Sequence, residues 1–214
     1  MPLVKSKQTQ KQTSKISWFS SKEKFSLESG DSLPGLTIAY TTYGAMNAEK
    51  SNVIWIFHAL TANSDPIDWW PEIVGKEKPI DTEKYFIVCA NVLGSCYGTT
   101  GPSSIKPASG EPYNQNFPAI TIKDMVKAHQ LLQQHLSIER IYLGIGGSLG
   151  GQQLLEWAAS DTHRFESIAL IASNARHSAW GIAFNETQRM ALEASGFNAN
   201  GLETARAIAM LSYR

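Results

Sequence analysis

The chain has 214 residues, 43% of them hydrophobic and 18% charged, with 19 Lys plus Arg balanced by 19 Asp plus Glu. That length suits one main globular domain with a sizeable core, and a balanced charge supplies no long-range field to draw the chain to nucleic acid or to an anionic membrane. Two cysteines, Cys89 and Cys96, are too few for a disulfide framework or a structural metal site, which leaves a metal-free protein of the reducing cytoplasm as the expectation.

The first sixteen residues, "MPLVKSKQTQKQTSKI", are basic and polar and lack the apolar segment of a signal peptide. They are expected to be a disordered tail over 1–16, and no apolar run elsewhere approaches the roughly twenty residues of a membrane span. "KEKFSLESGDSLPGLTIAYTTYG" alternates apolar and polar residues on either side of a Gly/Asp/Pro turn, and predicts a β-hairpin at the start of the fold. "NVIWIFHAL" and "YFIVCANVLG" are continuous apolar runs of the kind found in buried central strands, joined by a long connection bearing two tryptophans. The second run opens into "GSCYGTTGPSSIKPASGEPYNQNFP", a long Gly/Pro/Ser-rich loop of the sort that carries function.

"TIKDMVKAHQLLQQHLS" predicts a helix, with Thr121 and Asp124 at capping-box spacing and Met125, Val126, Leu132 and Leu136 on one face. Its two histidines, His129 and His135, read as face or rim residues. "RIYLGIG" follows as a buried strand and "LGGQQLLEWAAS" as a helix, with Leu154, Leu155, Trp157 and Ala158 facing inward. "FESIALIASNA" is a further strand, and the remainder divides into two helices at a Gly/Asn loop. Strands alternating with helices predict an α/β core over 17–176 with a mainly parallel sheet, whose sites lie at the carboxyl ends of the strands.

The chemistry-bearing stretch is "GIGGSLGG" at 144–151. A dinucleotide fingerprint would need a small residue where Leu149 stands, and a phosphate-binding P-loop would need a lysine that the stretch lacks. What remains is G-x-S-x-G, in which Ser148 occupies a tight strand-to-helix turn, flanked by glycines because strand and helix approach too closely for side chains. Ser148 is therefore the candidate nucleophile.

Such a serine needs donors for the tetrahedral oxyanion, a base, and a carboxylate to orient the base. The amides of Leu149 and of Leu60 in "HALT" are the candidate oxyanion donors, with Thr61 the second choice for the latter. His58 occupies the position of a loop brace. A base is expected after the serine, where only His163 and His177 stand. His163 and Asp161 lie at the far end of the helix that starts at Ser148, roughly 20 Å away. His177 has no evident carboxylate partner. The triad is incomplete in these 214 residues.

The segments "HALTANS", "WWPEIVG", "IDTEKYFIVCANVLGSCYGTTGPSSIKP", "GGSLGGQQLLEWA", "SAWGIAFNETQR" and "LETARAIAMLSYR", in that order, closely resemble the homoserine O-acetyltransferase family of methionine biosynthesis. The resemblance implies an α/β-hydrolase fold, with 177–214 the start of a helical cap inside which the chain stops. It implies that Ser148 takes an acetyl group from acetyl-CoA and passes it to the hydroxyl of L-homoserine, with no bound cofactor. Leu149 stands where the family usually has methionine, a tolerable change for a residue that contributes a backbone amide. Arg214 resembles the family's arginine that grips the homoserine carboxylate, a task suited to a guanidinium fork. The family's catalytic Asp and His come later than position 214, and its members are expected to form homodimers at full length. Four other readings share these residues: a succinyl donor, a serine acceptor, a serine hydrolase of the same fold, and a truncated product without activity.

Overall fold

The computed structural model describes residues 16–212. Of the tail expected over 1–16, only Ile16 is among them, and it is part of a strand rather than of a disordered tail. Arg214 lies outside the described residues.

The strands are β1 (Ile16–Ser21), β2 (Phe25–Ser26), β3 (Ser32–Leu33), β4 (Leu36–Tyr43), β5 (Val53–Phe57), β6 (Val74–Gly75), β7 (Ile80–Asp81), β8 (Phe86–Ala90), β9 (Ile141–Gly147) and β10 (Phe165–Ile171). Six of them form one sheet in the order β1-β4-β8-β5-β9-β10. β8, β5, β9 and β10 run parallel, and β4 and β1 are added antiparallel at one edge. The opening hairpin differs from the expected one. β4 pairs with β1, in the register Ile16↔Thr41 to Ser21↔Leu36, and the expected turn region contributes only the small β2–β3 ladder. The reason lies in "ISWFSS": Phe19 packs on the core and on the His135 ring, and Trp18 covers Gly98, where a Cβ would sit 2.5 Å from the indole.

β5 is buried at every position, and its period-two alternation feeds two cores. Val53, Trp55 and Phe57 join Val126, Leu132, Leu154 and Trp157 on one face, while Ile54 and Ile56 join Val74, Ile80, Ile87 and Ile145 on the other. The first face is covered by α2 (Ile122–His135) and α3 (Leu149–Ser160). α2 starts at the expected capping box, in which Thr121 Oγ1 accepts from Asp124 N–H and the Asp124 carboxylate accepts from Thr121 N–H. Each fully buried aliphatic or aromatic side chain in these cores contributes about 1.5–3 kcal/mol. Trp157→Ala, which empties the contact between α3 and β5, is expected to cost about 3–5 kcal/mol.

The second face carries the tryptophan-bearing connection, including the one-turn α1 (Pro66–Trp69) with Trp69 stacked on Trp70. At the far edge no strand among the described residues pairs with the outer side of β10, and Ile168, Leu170 and Ile171 of that strand are exposed. The backbone divides into two units, Met1–Ser173 and Asn174–Arg214. The second is a helical pair, α4 (Ala179–Ala194) and α5 (Ala199–Leu211), capped by Ser178 and Asn198 accepting from Gly181 and Gly201 amides.

Candidate active site

Ser148 stands between the last residue of β9 and the first of α3 with φ 52° and ψ −122°. This backbone conformation is costly for a residue with a Cβ, by about 1–3 kcal/mol, and a fold keeps it only where the surroundings enforce it. Three contacts do so. Ser148 N–H donates to Ile171 O at 3.0 Å, Gln152 N–H donates to Ser148 O at 3.1 Å, and Ser173 Oγ donates to the same carbonyl at 2.9 Å. The turn also closes tightly on itself, since a Cβ on Gly146 would meet Gly150 O at 2.6 Å. The serine side chain is thereby held exposed at the carboxyl end of the sheet, ahead of a helix N-terminus whose amides and dipole favour negative charge.

Gly150 brings the other predicted donor loop to the same place. A Cβ there would lie 2.0 Å from Phe57 O and 2.8 Å from His58 O, so the first turn of α3 touches the end of β5 backbone to backbone. Register agrees, since Phe57 pairs with Gly146. Leu149 is the first residue of α3, where a helix leaves its N–H groups without intrahelical acceptors. Leu60 is 73% exposed and occupies the second position of a turn closed by Ala62 N–H donating to Ala59 O at 3.0 Å. The central amides of such a turn are not used in closing it. The fold thus brings Ser148, Leu149 and the Leu60 loop together at the carboxyl end of the sheet.

His58 is a brace. Nε2 lies 3.1 Å from Val92 N–H and Nδ1 2.8 Å from Ala59 O. An amide can only donate and a carbonyl only accept, so the ring is neutral with its proton on Nδ1, and burial lowers its pKa. Both nitrogens are engaged with backbone, which leaves none to take a proton from a serine.

His129 corrects the expectation of a face or rim residue: it is buried among Trp55, Phe57 and Trp157. Gln153 Nε2 donates to Leu149 O, which turns its Oε1 toward His129 Nε2 at 3.0 Å. Desolvation pushes this histidine down to about 4. His135 is exposed, as expected of a rim residue. Asp161 is committed to Arg164 at 2.8 Å, and with His163 it lines an open groove of about 510 Å³ beside the start of β9, the opposite end of that strand from Ser148. His177 is exposed in the second unit, beside Gly181.

Asn91 and Ser64, which no motif in the sequence marks, are buried polar residues bound to each other at the end of the Leu60 loop. The available signal was a polar residue ending the apolar run "FIVCAN", where a strand meets a functional loop. Cys89 is buried, which raises its pKa, and it is not placed for nucleophilic work. Among the described residues no group of His, Cys, Asp and Glu could hold a metal ion, and no helix is long and apolar enough to cross a membrane.

The chain is 51% identical over 204 residues to a homoserine O-acetyltransferase from Cyclobacterium marinum, an alignment that covers 92% of this chain and 58% of that protein. It therefore spans little more than half the length of this curated relative. Among solved structures, a homoserine O-acetyltransferase from Bacillus anthracis superposes with a TM-score of 0.85 at 26% identity, over 94% of this chain and 60% of that one. The acetyl esterase MekB superposes with a TM-score of 0.81 at 28% identity, over 92% and 59%. Residues 52–200 match the family described as the alpha/beta hydrolase fold, and on that match the chain belongs to the alpha/beta hydrolase fold family.

Proposed function

We propose that this chain carries the nucleophile and oxyanion half of an acyltransferase that moves an acetyl group from acetyl-CoA to the hydroxyl of L-homoserine. The observation that carries the proposal is the Ser148 turn, with its enforced φ of 52° and ψ of −122°, set backbone to backbone against the loop of Leu60. The 51% identity to a homoserine O-acetyltransferase supports the choice of substrates.

Ser148 Oγ attacks the thioester carbonyl and its proton passes to a base. The carbonyl oxygen becomes an oxyanion held by the amides of Leu149 and Leu60, and the C–S bond breaks to release CoA as its thiol, the base returning the proton. The homoserine hydroxyl then attacks the resulting ester, its proton passes to the base and on to Ser148 Oγ, and O-acetyl-L-homoserine leaves. Each oxyanion amide of this type contributes about 10²–10³-fold in rate. The base and its carboxylate come from the part of the relatives' length that these 214 residues do not span. Arg214 holds the homoserine carboxylate, a role that rests on resemblance alone. The reaction needs no bound cofactor beyond acetyl-CoA as co-substrate, and the full-length protein works as a cytoplasmic homodimer.

Mass spectrometry of the full-length protein after exposure to acetyl-CoA is expected to show an acetyl adduct on Ser148 that homoserine discharges. An adduct that persists in Ser148→Ala refutes the assignment. The likeness to an acetyl esterase supports a second reading, in which water is the acceptor. Under that reading CoA or alcohol release proceeds equally with and without homoserine and no O-acetyl amino acid forms. Replacing acetyl-CoA by succinyl-CoA and homoserine by serine in the same assay decides donor and acceptor.

A further inference from the structure

The loop that carries Leu60 is an arch pinned at both ends to two adjacent residues of the neighbouring strand's exit. At its start, Val92 N–H donates to His58 Nε2 at 3.1 Å. At its end, Asn91 grips Ser64 twice: Oδ1 accepts from Ser64 N–H at 2.8 Å and Nδ2 donates to Ser64 Oγ at 3.1 Å. Thr41 Oγ1 lies 3.1 Å from the same hydroxyl, and the Tyr43 phenol donates to Asp65, so β4 fastens the arch from beneath. The second hydrogen of Asn91 Nδ2 goes to Tyr97 O at 2.9 Å, which ties the long loop after β8 to the same side chain. Asn91 is 2% exposed. Between the pins, Leu60 reaches the surface in its turn, and its amide makes no hydrogen bond among the described residues.

We infer that Asn91 is a positioning residue for the oxyanion amide of Leu60, acting through Ser64 and not through contact with substrate. The inference rests on the acyl-transfer reading above. A short arch with both ends fixed has few conformations left for its middle, so an amide at its crest is pre-set for charge that develops only in the transition state. Without Asn91 the far end keeps only its side-chain ties to β4, Thr41 to the Ser64 hydroxyl and Tyr43 to Asp65, and loses the bond that fixes the Ser64 amide. Substrate would still bind, and transition-state stabilisation would fall.

The test uses the full-length protein. Asn91→Leu keeps the branched outline at Cγ and removes all three side-chain hydrogen bonds. Asn91→Asp keeps an acceptor for Ser64 N–H, a second oxygen that the Ser64 hydroxyl can turn to meet, and loses the bond to Tyr97 O. Thr99→Val is the control, because Thr99 Oγ1 belongs to the same buried network, donating to Asn91 O at 2.8 Å and accepting from Ala39 N–H at 3.0 Å, without touching the arch.

Asn91→Leu is expected to lower kcat for acyl transfer by about 10–100-fold, short of the full loss of an oxyanion donor, with KM for acetyl-CoA within about threefold. Labelling of Ser148 by a fluorophosphonate, which also builds negative charge on oxygen, is expected to slow in parallel. Asn91→Asp should be impaired less than Asn91→Leu, which also covers the case in which the leucine variant fails to fold. Thr99→Val should lose thermal stability with kcat unchanged within about threefold. Equal kcat losses in Asn91→Leu and Thr99→Val at matched stability, or a loss confined to KM, overturn the inference. Amide exchange at 59–63 is read independently: faster exchange in the Asn91 variants is expected, and unchanged exchange overturns the inference. A wild-type protein that fails to label at Ser148 refutes the acyl-transfer reading by itself, while the exchange result still decides whether Asn91 holds the arch.

Discussion

Gly150→Ala is the sharpest test of the close approach on which the site depends. Position 150 is the second residue of α3, and in an open helix alanine is favoured over glycine there by about 1 kcal/mol. The added Cβ, however, would lie 2.0 Å from Phe57 O, 2.6 Å from Phe57 C and 2.8 Å from His58 O. Ordinary contact begins at 3.4 Å, so the helix start and the β5 exit must part by about 1.4 Å. Neither side can turn away, because both obstacles are backbone at the end of a strand buried at every position. Overpacking of this kind costs about 1–3 kcal/mol and outweighs the propensity gain. The larger effect is expected on chemistry, because the separation lies between Leu149 and the Leu60 loop, and a displacement of about 1 Å costs about 10²-fold in rate. Gly147→Ala is the matched control, since its Cβ meets only Ile171 O at 3.7 Å. Urea unfolding and fluorophosphonate labelling of the full-length protein are measured side by side for both variants. A Gly150→Ala protein as stable as Gly147→Ala and labelled at the wild-type rate would show that the contact between α3 and β5 does not set the site.

Two other outcomes follow from the core and the sheet edge. His129 is held down at about 4 by burial, whereas an unfolded chain leaves it near 6.5. Between those values the unfolded chain binds a proton that the native state refuses, so stability falls as pH drops through about 6.5 to 4, by about 3 kcal/mol at completion. His58, also lowered by burial, adds in the same direction. Urea unfolding at pH 7.5 and pH 4.5 is expected to show this loss and to show less of it in His129→Gln; an equal loss in the variant removes His129 as its source. The 214-residue chain expressed alone is expected to release no CoA in the presence of homoserine and to self-associate, because among the described residues β10 has an unpaired edge, with its Ile168, Leu170 and Ile171 exposed. Turnover near that of the full-length protein would refute the claim of a missing base and make His177 the first residue to replace.

Much of this molecule is determined locally. The buried runs around Trp55 and Val88 could only be central strands, the spacing of Thr121 and Asp124 writes a helix start, and Gly146 and Gly150 on either side of Ser148 announce a turn too close for side chains. Each depends on residues a few positions apart, where backbone geometry and period carry the information. The tertiary structure decided what depends on distant partners. Ile16–Ser21 becomes a strand because β4 offers it an edge and Gly98 offers Trp18 a seat. His129 turns inward because Gln153, 24 residues later, supplies its hydrogen bond, and His58 becomes a brace because Val92, 34 residues later, supplies its donor. Asn91 is only half legible in the sequence for the same reason: an asparagine at a strand end signals a loop and no more, and its value lies in Ser64 and Tyr97, which chain folding alone brings to its two polar atoms.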